Sequence, residues 1–178
     1  MSKDEYVAYL NSTEGGLINS KEFNGKLFKV KLQTPEIIFL SNYEDSILDE
    51  EKLKKGLPGF NDKVNFIIIL EDVPGNNEVK QAVVNKDSYS KILSYGNTEM
   101  KNDFKLIQGN DTNYCSLALI EPANSLQPVI RIAISFSGLN ALNKNNLTLI
   151  YNDRIFEQGP VKFNYTKTVF ENIPALKL

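Results

Sequence analysis

The sequence contains no histidine and no tryptophan, and Cys115 is its only cysteine. Without histidine, catalytic triads based on imidazole, metal sites built on His and the usual pH switch near neutrality are all excluded. A single cysteine cannot form an internal disulfide or a metal cluster made of cysteines alone. We therefore expect no cofactor and no bound metal, and the missing catalytic groups favour a non-enzymatic protein.

Long apolar runs are missing as well. The longest, residues 66–70, is far shorter than the roughly 20 residues that a membrane-spanning helix needs. The 20 basic and 22 acidic residues leave a net charge of −2, which gives no electrostatic reason to expect nucleic acid as a partner. The 178 residues, 42% of them hydrophobic and 24% charged, fit a single domain over residues 1–178.

The first part of the chain combines helix and hairpin patterns. Residues 4–10 carry apolar side chains at helical spacing, which predicts a short amphipathic helix. Residues 17–23 and 26–32 flank Asn24-Gly25, a pair that tolerates positive φ and predicts a type I′ hairpin. Thr34-Pro35-Glu36 has the N-cap, the proline and the first-turn acid of a helix that begins at Pro35.

The rest of the chain is mostly strand patterns. We expect a helix over 46–55, a central strand over 64–71 and a helix over 87–95 that ends at Gly96. Further strands are expected at 104–108, 114–121, 129–136, 147–151 and 161–165, with an edge strand in the tail at 173–176. This order predicts an α+β fold, with a mostly antiparallel β-sheet or sandwich and a few short helices.

Carboxylates are the acid or base groups that remain for catalysis. The acids cluster at Glu44, Asp45, Asp49, Glu50 and Glu51. They precede lysines on one predicted helix, and this charge order is typical of a solvated helix surface. The alternative is a pair of acids in a cleft, which would make the protein a carboxylate-dependent hydrolase acting on a glycan.

The connection between the last two predicted strands, residues 151–160, is the best candidate for a partner-binding surface. It combines acids, an arginine and aromatic residues in a loop, and loops carry function more often than the scaffold does. The candidate surface residues are Asn152, Asp153, Arg154 and Glu157. In the structural alternative, Asp153 and Arg154 fix a turn while Tyr151 and Phe156 pack inward.

Both ends of the chain carry a family resemblance. Residues 6–10 (Tyr-Val-Ala-Tyr-Leu), 14–17 (Glu-Gly-Gly-Leu) and 23–25 (Phe-Asn-Gly), together with 151–156 and 159–163, resemble small uncharacterised lipoproteins of Bacteroidetes-type bacteria. The resemblance implies export, lipid attachment through a cysteine upstream of residue 1, and a location in the cell envelope, periplasmic or surface-exposed. It implies no particular activity.

These observations lead to three hypotheses about function. The first is a non-enzymatic binding or assembly module of the cell envelope, with a protein or glycan partner and membrane contact only through the lipid anchor. The second is the carboxylate-dependent hydrolase. The third is a cytoplasmic interaction protein. The sequence leaves the ligand, the strand order and the oligomeric state open.

Overall fold

The computed structural model describes residues 1–42, 49–123, 127–139 and 145–177. The helices in these ranges are α1 (Lys3–Asn11), α2 (Pro35–Ser41), α3 (Glu50–Gly56), α4 (Glu78–Val84), α5 (Lys86–Thr98) and α6 (Lys167–Glu171), with short 3-10 helices at Leu57–Phe60 and Met100–Asp103. The strands are β1 (Ile18–Phe23), β2 (Lys26–Gln33), β3 (Lys63–Asp72), β4 (Phe104–Gln108), β5 (Asp111–Tyr114), β6 (Leu117–Glu121), β7 (Ile130–Ser137), β8 (Leu147–Asp153) and β9 (Gly159–Tyr165).

The strands form two antiparallel sheets. One has five strands in the order β1-β2-β3-β7-β6, and the other has four in the order β5-β4-β8-β9. Every strand pair within these sheets is antiparallel. The predicted α+β class with mostly antiparallel sheet is confirmed.

The core lies between the two sheets. Strand β2 buries every second residue, and over residues 28–32 the buried positions are the apolar ones that alternate with lysines. The Phe66 ring of β3 lies 5.7 Å from the Tyr165 ring of β9, centroid to centroid. The Tyr165 hydroxyl donates to the Val30 carbonyl at 3.0 Å, so the buried phenol is satisfied across the sheets.

Two local predictions in the first third are confirmed. The β1–β2 turn has φ of 47° at Asn24 and 75° at Gly25, the left-handed geometry that a type I′ turn needs. Helix α2 begins at Pro35, and the Thr34 hydroxyl oxygen accepts from the Ile37 amide at 3.3 Å. The start of α2 therefore follows directly from β2.

The predicted strand over 114–121 is confirmed over its last five residues, and it is not continuous, because two strands of different sheets share this segment. Strand β5 ends at Tyr114, and β6 begins at Leu117 in the other sheet. Between them the Ser116 amide donates to the Ser135 carbonyl at 2.8 Å, which ties the chain to β7. The sequence of this segment contains no turn signal that shows where the chain passes from one sheet to the other.

Gly96 does not end the predicted helix over 87–95. Helix α5 continues to Thr98, and Gly96 lies inside it and is buried. A Cβ at this position would be 2.5 Å from Ile120 Cδ1, so the glycine permits close contact between the helix and β6. Packing against the strand explains a glycine that local sequence alone assigns to a helix end.

Two further predictions differ from the structure or lie partly outside it. The tail at 173–176 forms no strand, and it is held instead near the N-terminus, where the Lys177 amide donates to the Met1 carbonyl at 3.0 Å. The helix predicted over 46–55 is α3, beginning at Glu50, while its residues 46–48 lie outside the described ranges. No helix among the described residues is long and apolar enough to span a membrane.

Candidate functional site

Asp153 ends β8 and is buried, with 1% of its surface exposed. Its carboxylate accepts from the Tyr151 hydroxyl at 3.0 Å and from the amides of residues 155, 156 and 158 at 3.2 to 3.4 Å. Burial raises the pKa of the Asp153 carboxyl above its ordinary value, and these hydrogen bonds oppose the shift. Asp153 therefore anchors the loop from within and has no surface to offer a partner.

The other three predicted surface residues lie on the exterior of this loop. Asn152, Arg154 and Glu157 are exposed. Arg154 Nη1 lies 3.3 Å from Glu99 Oε2, and its guanidinium lies 5.4 Å from the centre of the Tyr95 ring. The arginine thus joins the loop to the end of α5, while Glu157 holds a left-handed φ of 57° at the loop tip.

A second buried acid, Asp103, lies close to the same loop. Its carboxylate accepts from the Tyr95 hydroxyl, and its Oδ1 lies 3.9 Å from Arg154 Nη1. The Tyr151 ring stacks on Phe104 with 4.6 Å between centroids. Neither Asp103 nor Asp153 lines the two cavities that the described part of the chain forms most clearly. The cluster holds the loop, α5 and β8 together.

The acidic cluster on α3 is a solvated surface where the structure describes it. Glu51 Oε1 lies 2.6 Å from Lys55 Nζ, and Glu50 Oε2 lies 3.6 Å from Lys54 Nζ, both one helical turn apart. Asp49 caps the helix by accepting from the Lys52 amide at 2.7 Å. Glu44 and Asp45 lie outside the described residues.

Cys115 is a free, buried thiol between β5 and β6. Its Sγ lies 2.9 Å from the Leu117 carbonyl, to which it donates, and burial raises the pKa of the thiol. Within the described ranges, no group of three or more Cys, Asp or Glu side chains is placed to hold a metal ion.

A cavity of about 220 Å³ lies at the opposite end of the sheets. Leu147, at the start of β8, lines it, whereas Asp153 ends the same strand, so about 20 Å separates the cavity from the loop. The cavity is lined by Leu32, Gln33, Thr34, Pro35, Glu36, Val64, Leu147, Phe170, Ile173, Pro174 and Ala175. Apolar side chains form most of this wall, and the exposed Ala175 marks where it meets solvent.

One corner of the cavity is polar. The Tyr6 hydroxyl lies 3.2 Å from Thr34 Oγ1 and donates to Glu36 Oε2 at 3.3 Å. Tyr6 is fully buried, and burial together with the nearby Glu36 charge raises the pKa of its phenol. The phenol therefore stays protonated, and its O–H group donates a hydrogen bond to the Glu36 carboxylate.

Sequence reasoning did not find this cavity. The sequence correctly predicts Thr34 and Glu36 at the start of a helix and Tyr6 on an amphipathic helix. It assigned the tail at 173–176 to an edge strand, although residues 173–175 form a wall of the cavity. No local pattern connects Tyr6 with Thr34, which is 28 residues away along the chain.

Comparison with known proteins returns no relative for this chain. No protein-family model, no curated protein and no solved structure matches it.

Proposed function

We propose that the protein is a non-enzymatic binding module whose ligand site is the cavity at the Thr34 end of the sheets. The observation that carries the proposal is a cavity with mostly apolar lining residues and a polar corner formed by Thr34 and Glu36. Concave apolar sites with a few polar groups are the usual form of small-molecule binding sites. The cavity is small, so its ligand is a small molecule or the end of a larger one.

Among the described residues, one acid lines the cavity, which favours binding over hydrolysis. Glycoside hydrolysis generally uses two carboxyl groups about 5 to 10 Å apart on either side of the substrate. Glu36 is the acid among the lining residues, and the buried pair Asp103 and Asp153 lies near the other end of β8. Carboxylate-dependent hydrolysis of a glycan therefore remains a prediction without support from a site geometry.

The loop anchored by Asp153 supports a second candidate, recognition of a protein or glycan partner through Asn152, Arg154 and Glu157. Hydrogen bonds from inside fix the loop, and a pre-organised loop loses less conformational entropy when it binds. A photo-crosslinking residue at position 157 should capture a partner in the native host, and the same residue at position 50 should not. Equal capture at both positions would argue against this surface.

The cell-envelope location is part of the same proposal, and its support is the resemblance at the two ends of the chain. Growth of the native host with a radioactive fatty acid should label the mature protein if a lipid anchors it. An unlabelled mature chain would favour the alternative of a cytoplasmic interaction protein.

The cavity itself is tested by blocking it. Ala175 is exposed at its wall, so a larger side chain there can fill the opening without entering the core. In amide NMR spectra, small aromatic probes should shift resonances of the cavity residues in the wild type, and A175F should remove these shifts. Ala8, exposed on α1 and outside the cavity lining, gives the matched control A8F, which should bind as the wild type does.

A further inference from the structure

Among the described residues that line the cavity, Glu36 is the charged one, and no described cation pairs with it. The N-terminal ammonium of Met1 lies nearby in the fold, but it donates to the Ala175 carbonyl at 3.4 Å. Glu36 is half-buried, and its carboxylate can accept several hydrogen bonds. At this corner the protein supplies one such bond, from Tyr6.

At this corner the hydroxyls of Tyr6 and Thr34 are engaged with each other and with Glu36, and the Glu36 carboxylate keeps open acceptor positions. The Tyr6 hydroxyl donates its one hydrogen bond to Glu36, so in its contact with Thr34 it accepts and the Thr34 hydroxyl donates. A carboxylate has about four lone-pair positions, of which Tyr6 uses one. A ligand that fits this corner must therefore bring donors, and a charged donor makes the stronger hydrogen bond.

The cavity volume limits the size of the apolar part. An engineered protein cavity of about 150 Å³ holds benzene. The volume of about 220 Å³ found here is larger, which leaves room for a ring and a chain of one or two carbons. Phe170, Leu147 and Val64 supply an apolar wall for such a group.

We propose that the cavity binds a primary ammonium ion on an apolar body of about phenylethyl size, with the ammonium on the Glu36 carboxylate and the apolar body between Phe170 and Leu147. This assignment rests on the proposed binding function and adds the ligand class. The ammonium has three donors, and it supplies the positive charge that no described residue gives to Glu36.

Three probes of similar shape test the charge preference. The probes are 2-phenylethylamine, which is cationic at pH 7, 2-phenylethanol, which is neutral, and 3-phenylpropionate, which is anionic. Dissociation constants from NMR titration of the wild type should place the amine at least about tenfold tighter than the alcohol, with the anion weakest. The variant E36Q keeps an oxygen acceptor for Tyr6 and removes the charge, so it should reduce the preference for the amine to less than about threefold.

The control variant and the outcomes separate the two proposals. E50Q makes the same change in the first turn of α3, outside the cavity lining, and should keep the full preference for the amine. If all three probes bind alike and A175F weakens all of them, the cavity is a site and the ammonium assignment is wrong. If no probe binds, or if A175F leaves binding unchanged, the proposed function itself is wrong.

Discussion

Two tyrosine–carboxylate pairs lie at opposite ends of the sheets, and they differ in what else reaches the carboxylate. At the loop end, Tyr151 and three amides donate to Asp153, which is 1% exposed. At the cavity end, Tyr6 donates to Glu36, and the carboxylate also borders a space of about 220 Å³. A tyrosine–carboxylate pair is thus fully enclosed at the loop end, whereas at the cavity end the carboxylate stays accessible from the cavity.

The difference separates a structural acid from a binding acid. A buried carboxylate that accepts from four donors has its lone pairs occupied, and its removal leaves those donors without partners. A carboxylate with one donor and adjacent space can accept from a ligand. The number of internal donors and the presence of adjacent space therefore distinguish the two carboxylates.

The largest expected effect comes from removing the structural acid. D153A leaves a buried phenol and three loop amides without their acceptor, so it should lower the free energy of unfolding by about 2 to 4 kcal/mol. Urea unfolding monitored by circular dichroism measures the loss. N152A changes the exposed neighbour on the same strand and should stay within about 0.5 kcal/mol of the wild type.

The D153A result decides how the loop is interpreted. A loss of less than about 0.5 kcal/mol, the range typical of surface substitutions, would show that the hydrogen bonds to Asp153 add little to stability. In that case Asp153 would not pre-organise the loop, and the second candidate function would lose this support. A large loss would leave Asn152, Arg154 and Glu157 as the loop's surface residues.

A smaller effect should separate the two phenols. Y151F removes one donor from a carboxylate that water cannot easily reach, so we expect a loss of about 2 kcal/mol in unfolding free energy. Y6F removes the donor to Glu36, which water in the cavity can replace, so we expect about 1 kcal/mol or less. Thermal or urea unfolding of the two variants side by side measures the difference, and equal losses would contradict the comparison.

Local patterns were sufficient for most strands and for the hairpin, because alternation and turn residues act over a few positions. Asn24-Gly25 fixes the β1–β2 turn through its positive φ values wherever the hairpin packs. Gly96 shows the limit, since its packing against Ile120 comes from a strand more than 20 residues later. The crossing between sheets at Ser116 likewise depends on a hydrogen bond to Ser135.

The candidate site was harder to predict for the same reason. Its polar corner joins Tyr6 with Thr34 and Glu36, and its wall includes the tail at 173–175. Each residue has an ordinary local explanation, such as a helix cap or a buried helix face. Only the folded arrangement shows that Glu36 borders a cavity and that Asp153 does not.

The smallest expected effect is a pH dependence at the loop end. The folded-state pKa of Asp153 is raised above the ordinary value of 3.8. In the pH window between 3.8 and the folded-state pKa, the folded protein therefore keeps a proton on Asp153 that the unfolded chain has released. This group's contribution to stability is complete below that window and is lost as the pH rises through the folded-state pKa. The slope of unfolding free energy against pH cannot exceed about 1.4 kcal/mol per pH unit for one group.

This pH dependence is measured by urea unfolding of the wild type and D153N between about pH 3 and pH 7. The wild type should lose stability relative to D153N as the pH rises. Parallel curves would mean that the hydrogen bonds to Asp153 fully offset the effect of its burial on the pKa, and a difference that moves in favour of the wild type as pH rises would mean that they outweigh it.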